Sequence, residues 1–254
     1  MFKISIEPNR LKSMLTQALK LKGGASPVDS VLITFSENGA KVRTALTKDT
    51  IVFANYYKSF FKTIEVEGDA EFMANTELVK KRLAYGFNGE TITMQTDEEK
   101  LTITGEATDD KVTQKLDAIN HEDKAPFEVE KTDIGLIPVK EGQIMKFAFS
   151  VLVPVEKFTD ALPYEQAVLT TNEKGEMFLN FKDELGERSR PIPYKTPNGK
   201  VEPTRILFNF KVFQELMSMF TGEVWLSGDK KKIVLSQTNS DYSLTYAFAP
   251  QKED

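Results

Sequence analysis

The chain has 254 residues, of which 40% are hydrophobic and 28% charged, a balance that excludes a disordered chain and fits one large domain or two ordinary ones. The net charge of −5 argues against a protein that coats nucleic acid with its whole surface, so the placement of the lysines matters more than their sum. There is no cysteine, which removes disulfides, thiol catalysis and cysteine-held metals, and no apolar run approaches the ~20 residues of a membrane span.

Phe2, Ile4 and Ile6 alternate as a first strand, which is not the apolar core of a secretion signal. Asn9 is an N-cap for a helix from Arg10 to Lys22, closed by Gly23-Gly24, with Leu11, Leu15, Ala18 and Leu19 on its apolar stripe and Lys12, Ser13, Thr16 and Lys20 on the other side. Strands follow at 30–36, 41–46, 50–57 and 60–66, the first turn being Asn38-Gly39. A second helix spans Thr76 to Tyr85 and carries Lys80, Lys81 and Arg82, before strands at 90–95, 100–105 and 110–117. Residues 118–144 mix charges with one apolar island, Ile134-Gly135-Leu136-Ile137-Pro138, and read as a linker. Beyond it come a strand at 145–153, a helix entered at Pro154 and ending at Leu162, and strands at 166–171 and 175–182. An irregular stretch with Pro191, Pro193 and Pro197 leads to a strand at 203–209, a helix from Phe210 to Met219, and strands at 222–227, 231–237 and 242–248.

That order is given twice. Phe87-Asn88-Gly89-Glu90-Thr91-Ile92-Thr93-Met94 returns as Phe220-Thr221-Gly222-Glu223-Val224-Trp225-Leu226-Ser227, and Leu32 to Gly39 returns as Val168 to Gly175. A repeat of roughly 110–130 residues is a duplicated domain, too long for a solenoid unit. The expected fold class is α+β: two tandem similar domains, 1–118 and 145–254, joined by a connector at 119–144, each a curved antiparallel sheet with two helices on one face.

Nothing in the residues argues for an enzyme. The single histidine, His121, lies in the charged linker, the carboxylate pairs fall at turns and strand ends, and Gly23-Gly24 ends a helix rather than opening one as a phosphate loop does. Trp225 and Phe60-Phe61 read as core. The lysine-bearing helix faces are, taken alone, ordinary solvated faces.

The layout, the duplication and three short motifs resemble a DNA sliding clamp of the proliferating-cell-nuclear-antigen type, as a divergent, archaeal or viral-like member. Tyr246-Ala247-Phe248-Ala249-Pro250 with its acidic end resembles the family's closing Ala-Pro segment, Ile134 to Pro138 its connector, and Asp183-Glu184-Leu185-Gly186 a segment near its subunit interface. The resemblance implies three subunits closing head to tail into a ring around duplex DNA, which tethers DNA polymerase and other replication and repair proteins, takes a clamp loader, and needs no cofactor and no metal. It implies a cytoplasmic, nucleoid-associated protein, or a nuclear one in a eukaryotic or viral-host setting.

On this resemblance the DNA-facing residues are Lys12, Lys20, Lys22, Lys80, Lys81, Arg82, Lys157 and Lys211, although Glu156, Asp160 and Glu215 interrupt the second pair of helices. A client-peptide pocket is formed by Leu136, Ile137 and Pro138 with Phe248, Ala249 and Pro250, and Ala45 and Leu46 beneath. The island has another reading, a strand that covers a sheet edge. The subunit interface pairs the last strand of the first domain, about Asp110 to Leu116 with Lys111, Val112 and Gln114, with an edge strand of the second, about Glu184 to Ile192 with Arg188, shortened by Pro191 and Pro193, so proline at Val112 and Gln114 is expected to give monomers. Two other classes remain: a monomeric processivity factor that holds DNA without closing a ring, and a β-rich scaffolding protein that binds no DNA.

Overall fold

The computed structural model describes residues 2–17, 30–47, 49–68, 70–75, 91–96, 100–106, 111–117, 147–158, 162–183, 186–196 and 201–251. In chain order these form β1 (Phe2–Ile6), α1 (Pro8–Gln17), β2 (Ser30–Ser36), β3 (Gly39–Thr47), β4 (Thr50–Tyr57), β5 (Thr63–Val66), β6 (Ala70–Asn75), β7 (Ile92–Thr96), β8 (Lys100–Glu106) and β9 (Lys111–Asp117). The later elements are β10 (Phe149–Pro154), β11 (Gln166–Thr171), β12 (Met177–Asp183), β13 (Gly186–Pro191), β14 (Thr204–Asn209), α2 (Phe210–Met217), β15 (Glu223–Gly228), β16 (Ile233–Thr238) and β17 (Tyr242–Phe248).

Three antiparallel sheets result, in the orders β5-β1-β7-β8-β9, β10-β15-β16-β17-β4-β3-β2-β6 and β13-β12-β11-β14. The duplication is visible in these orders. The series β1-β7-β8-β9 reappears as β10-β15-β16-β17, and β4-β3-β2-β6 reappears as β13-β12-β11-β14. The expected α+β class holds, but each half supplies two sheets rather than one. The middle sheet belongs to both halves, because β17 pairs with β4 along seven residues from Tyr242↔Tyr56 to Phe248↔Thr50. Joining two edge strands this way satisfies two rows of backbone groups that would otherwise face solvent.

One face of this seam is the core. Val52, Ala54 and Tyr56 of β4 and Leu244, Tyr246 and Phe248 of β17 are all buried. The Tyr56 hydroxyl donates to Gln17 Oε1 at 3.0 Å, and the Tyr246 hydroxyl donates to the Gln17 carbonyl at 2.5 Å, so both strands of the seam hold the end of α1. Phe220, just past α2, meets the Tyr246 ring edge-on at 5.6 Å. Burial pushes both phenols above the ordinary tyrosine range, and the neighbouring tyrosines push the same way. The folded-state values are raised, so this contribution is complete below the ordinary value of about 10 and is lost as pH climbs toward the raised values.

α2 buries Phe210, Phe213, Leu216 and Met217, a stripe at helical spacing, and the Asn209 side chain accepts from the Val212 amide at 3.0 Å as its N-cap. Phe213 lies 5.3 Å from Phe158 and 5.1 Å from Phe208, which ties the helix to the second half's inner layer. Phe60 and Phe61 are core, as their sequence suggests, while Trp225 is half-buried.

Several elements differ from the sequence expectation. α1 begins two residues early, with Pro8 at its first position and Asn9 inside it, because proline's missing amide costs nothing there. Where a helix was expected to start, β10 instead ends at Pro154 and a 3-10 turn, Val155–Lys157, follows, while residues 159–161 of that expected helix lie outside the described residues. β6 was not expected: its alanines and glutamate are poor strand formers, and its register comes from β2, from Ser30↔Asn75 to Phe35↔Ala70. β13, Gly186–Pro191, falls inside the edge strand expected at about Glu184 to Ile192 for the interface, and its single proline, read as part of an irregular stretch, stands at its end. The second helix at 76–85 lies outside the described residues. One echo also slips: Ile92 and Met94 are buried where Val224 and Leu226 are, one residue off the ungapped match.

Gly39 carries the β2–β3 turn at φ 139°, and a Cβ there would overlap the Tyr56 carbonyl oxygen. Gly39→Ala is expected to lower unfolding free energy by about 3 kcal/mol or more in urea titration. Gly68→Ala also has positive φ, at 72°, but opens into free space, and should cost only about 1 kcal/mol.

Candidate assembly and partner surfaces

β9 ends the five-stranded sheet and β13 ends the four-stranded one. Their places in the repeated orders are those of β17 and β4, the two strands that pair with each other inside the chain. Among the described residues the chain therefore contains one completed copy of a seam and the two unjoined halves of another. Along β13, Gly186, Glu187, Arg188, Ser189 and Pro191 are exposed, and Arg190 is half-buried. Arg188 and Arg190 stand opposite the buried Phe181 and Leu179, so they occupy the core-facing side of the strand, where β4 has Val52 and Ala54. Of the expected interface residues, Lys111, Val112 and Gln114 lie on β9 and Arg188 on β13, Ile192 is buried in its own core, and Glu184 is outside the described residues.

Three expected DNA-facing residues are described. Lys12 is half-buried on α1 and Lys157 is exposed in the 3-10 turn after β10. Lys211 is exposed on α2 and binds Glu165 Oε1 at 2.8 Å, a contact that holds the Glu165 carboxyl below its usual range. An ion pair on that helix leaves less positive charge for a polyanion. Lys20, Lys22, Lys80, Lys81 and Arg82 fall outside the described residues.

The other face of the β4–β17 seam carries a separate small apolar cluster of Ile51, Val234 and Ala247, with Phe53 and Phe147 packed against it. Lys232 Nζ sits 5.6 Å from the Phe147 ring centroid. Strand alternation assigns the expected pocket residues to different faces. Phe248 and Leu46 are buried in the main core, Phe248 lying 6.4 Å from Phe208 and 6.2 Å from Phe213. Ala249 still pairs with β4's approach, its amide donating to the Asp49 carbonyl at 2.9 Å, so it follows Ala247 on the cluster's face. Ala249 and Pro250 are half-buried, and Ala45 stands opposite Ile51 in register. Leu136, Ile137 and Pro138 are outside the described residues. Ile51, Val234 and Ala247 were missed in the sequence because alternate faces of a shared sheet are not distinguishable before its strand order is known.

No protein-family model matches the chain. No curated protein matches it either. Among solved structures, it superposes on a chain of the structure described as the C-terminal region of FEN-1 bound to A. fulgidus PCNA, with a TM-score of 0.73 over 100% of both chains and 14% identity. That likeness shows a PCNA-like clamp fold.

Proposed function

We propose that the chain is a subunit of a ring-shaped DNA sliding clamp that encircles duplex DNA and tethers DNA polymerase and other replication and repair proteins. The observation that carries this reading is the internal seam: β4 and β17 join the halves of one chain, while their counterparts β13 and β9 are left as edges at the ends of two different sheets. A head-to-tail contact between copies repeats the joint, and three copies, each divided into 1–118, a connector at 119–144 and 145–254, close a ring of six similar units. The likeness to a PCNA chain over its full length supports the same reading. Contact with phosphates through lysines is sequence-independent and tolerates sliding. The ring acts as a scaffold, without catalysis.

The test is addition of the protein, with a clamp loader, to a polymerase on primed circular DNA. Long products are expected, together with a solution mass of three subunits by light scattering. Charge reversal at Lys20, Lys81 and Arg82 is expected to reduce this stimulation, most at low salt and less as salt rises because fewer phosphate contacts give a shallower salt dependence, while leaving the mass unchanged. Full stimulation in the triple variant across a salt series would show that these residues do not face DNA.

One observation favours a second reading, a monomeric processivity factor. Arginines on the core-facing side of β13 and Pro191 at its end are devices that keep an edge strand from pairing. A monomer mass with intact stimulation would select it.

A further inference from the structure

We infer that peptides docking on the outer face of the β4–β17 seam carry acidic residues beside their apolar anchors, and that Lys230 and Lys231 select them. This rests on the reading of the chain as a tether for other proteins, and goes further by giving the charge of the partner.

The turn between β15 and β16 reads Asp229-Lys230-Lys231-Lys232, three lysines and one aspartate with net charge +2, in a chain whose own net charge is −5. Its backbone is fixed. Asp229 Oδ1 accepts from the Lys231 amide at 2.7 Å and from the Lys232 amide at 3.1 Å, and the Asp229 amide donates to the Lys232 carbonyl at 3.0 Å. The carboxylate of the turn is thus engaged by backbone donors and held away from the ammonium groups. Lys182, Lys195 and Lys211 have carboxylate partners in Glu187, Glu223 and Glu165. Among the described residues Lys230 and Lys231 have none, and both are exposed. Two like charges side by side on a rigid turn raise the local potential, and an anionic segment laid across them lowers it.

The position of the turn gives that charge a use. β16 pairs with β17 with Ile233 opposite Phe248, so the turn lies beside Ala249 and Pro250, where the chain leaves the sheet. The apolar cluster of Ile51, Val234 and Ala247 is on the same face, and Phe147 packs against it. Lys232, half-buried, links the two regions: its Nζ lies over the Phe147 ring. An apolar floor therefore runs into a cation on an aromatic ring and then into two exposed ammonium groups. Across β17, Asp49 is exposed beside Ala249, a single negative charge that the turn outweighs.

This combination distinguishes between anionic partners. A nucleic acid backbone would engage the lysines and leave the apolar cluster uncovered. A peptide with apolar anchors and an acidic flank covers both. The anchors supply burial on the cluster, while the lysines at its rim steer the approach and choose among peptides with the same anchors.

The test uses three synthetic peptides that share one aliphatic and one aromatic anchor on a turn of helix. They differ in the three residues at each end: glutamates, serines or lysines. By calorimetry the glutamate-flanked peptide is expected to bind wild type about tenfold tighter than the lysine-flanked one at low salt, falling to about twofold near 0.5 M salt. Lys230→Glu with Lys231→Glu is expected to invert that order. The substitutions leave the amides that Asp229 holds in place, and native circular dichroism checks the fold. Equal affinity of wild type for the two charged peptides, or an unchanged preference in the double variant, overturns the inference. So does a double variant that keeps the preference but loses affinity for duplex DNA, which would assign the lysines to phosphates. If the serine-flanked peptide still binds wild type and fails to bind Ala249→Trp, the docking surface survives and only its charge selection falls. Wild type that binds none of the three overturns both.

Discussion

A chain carrying Thr113→Pro and Lys115→Pro is expected to fold as the parent does and to run at monomer mass, its association weakened at least a hundredfold, about 2.7 kcal/mol. β9 holds the place of β17, where the Ala249 amide crosses to Asp49, and the equal hairpin lengths put Thr113 and Lys115 where Thr245 and Ala247 stand, so proline there is expected to remove two donors from the outer seam and none from the β8–β9 ladder. Each lost bond is worth about 1 kcal/mol, and the proline ring adds crowding on the side the partner approaches. The pair Val112 and Gln114, which looks equivalent in the sequence, is expected to behave differently. Their amides face β8, so proline there breaks the chain's own sheet and lowers its thermal stability. Light scattering and thermal unfolding of the two double variants separate these outcomes. A 113/115 double-proline chain that keeps ring mass would place the contact on another edge.

This difference marks where sequence reasoning ends. Alternation located β1, β2, β4 and β17 almost to the residue because each buries alternate apolar residues in the main core, Phe2-Ile4-Ile6 being the plainest case. Pattern does not carry sheet order. The joining of Thr50–Tyr57 to Tyr242–Phe248 depends on tertiary packing between residues far apart in the chain, and neither strand names the other. The same gap divided the candidate pocket incorrectly. Phe248 and Ala249 are adjacent in sequence and were assigned to one site, yet alternation sends Phe248 into the core with Phe208 and Phe213 while Ala249 follows Ala247 to the opposite face. β13 was reached only through the family resemblance, as the edge strand at about Glu184 to Ile192, because its core-facing positions hold Arg188 and Arg190 and its own pattern reads as a polar loop. The charged helices were legible as faces, but not the neutralisation of Lys211 by Glu165, which sits at the start of a strand many residues earlier.

Ala249→Trp is expected to abolish binding of a client peptide while leaving the ring mass unchanged. The candidate surface is the outer face of the internal seam, where Ile51, Val234 and Ala247 form a small apolar cluster rimmed by Phe53 and Phe147. Ala249 continues that face, fixed by its amide bond to Asp49, and Pro250 holds the direction of the chain as it leaves the sheet. A peptide that presents aliphatic and aromatic anchors on one turn of helix would bury them against such a face, a helix-in-groove mode of recognition. Each anchor is worth on the order of 2 kcal/mol, so an indole that occupies the space of one anchor should weaken binding at least thirtyfold. Calorimetric titration with a peptide of that pattern measures it. The site lies within one chain and away from β9 and β13, so the monomeric Thr113→Pro, Lys115→Pro chain should bind the same peptide with wild-type affinity. Loss of binding in the monomer would mean that the peptide bridges two subunits, and undiminished affinity in Ala249→Trp would move the pocket off this face.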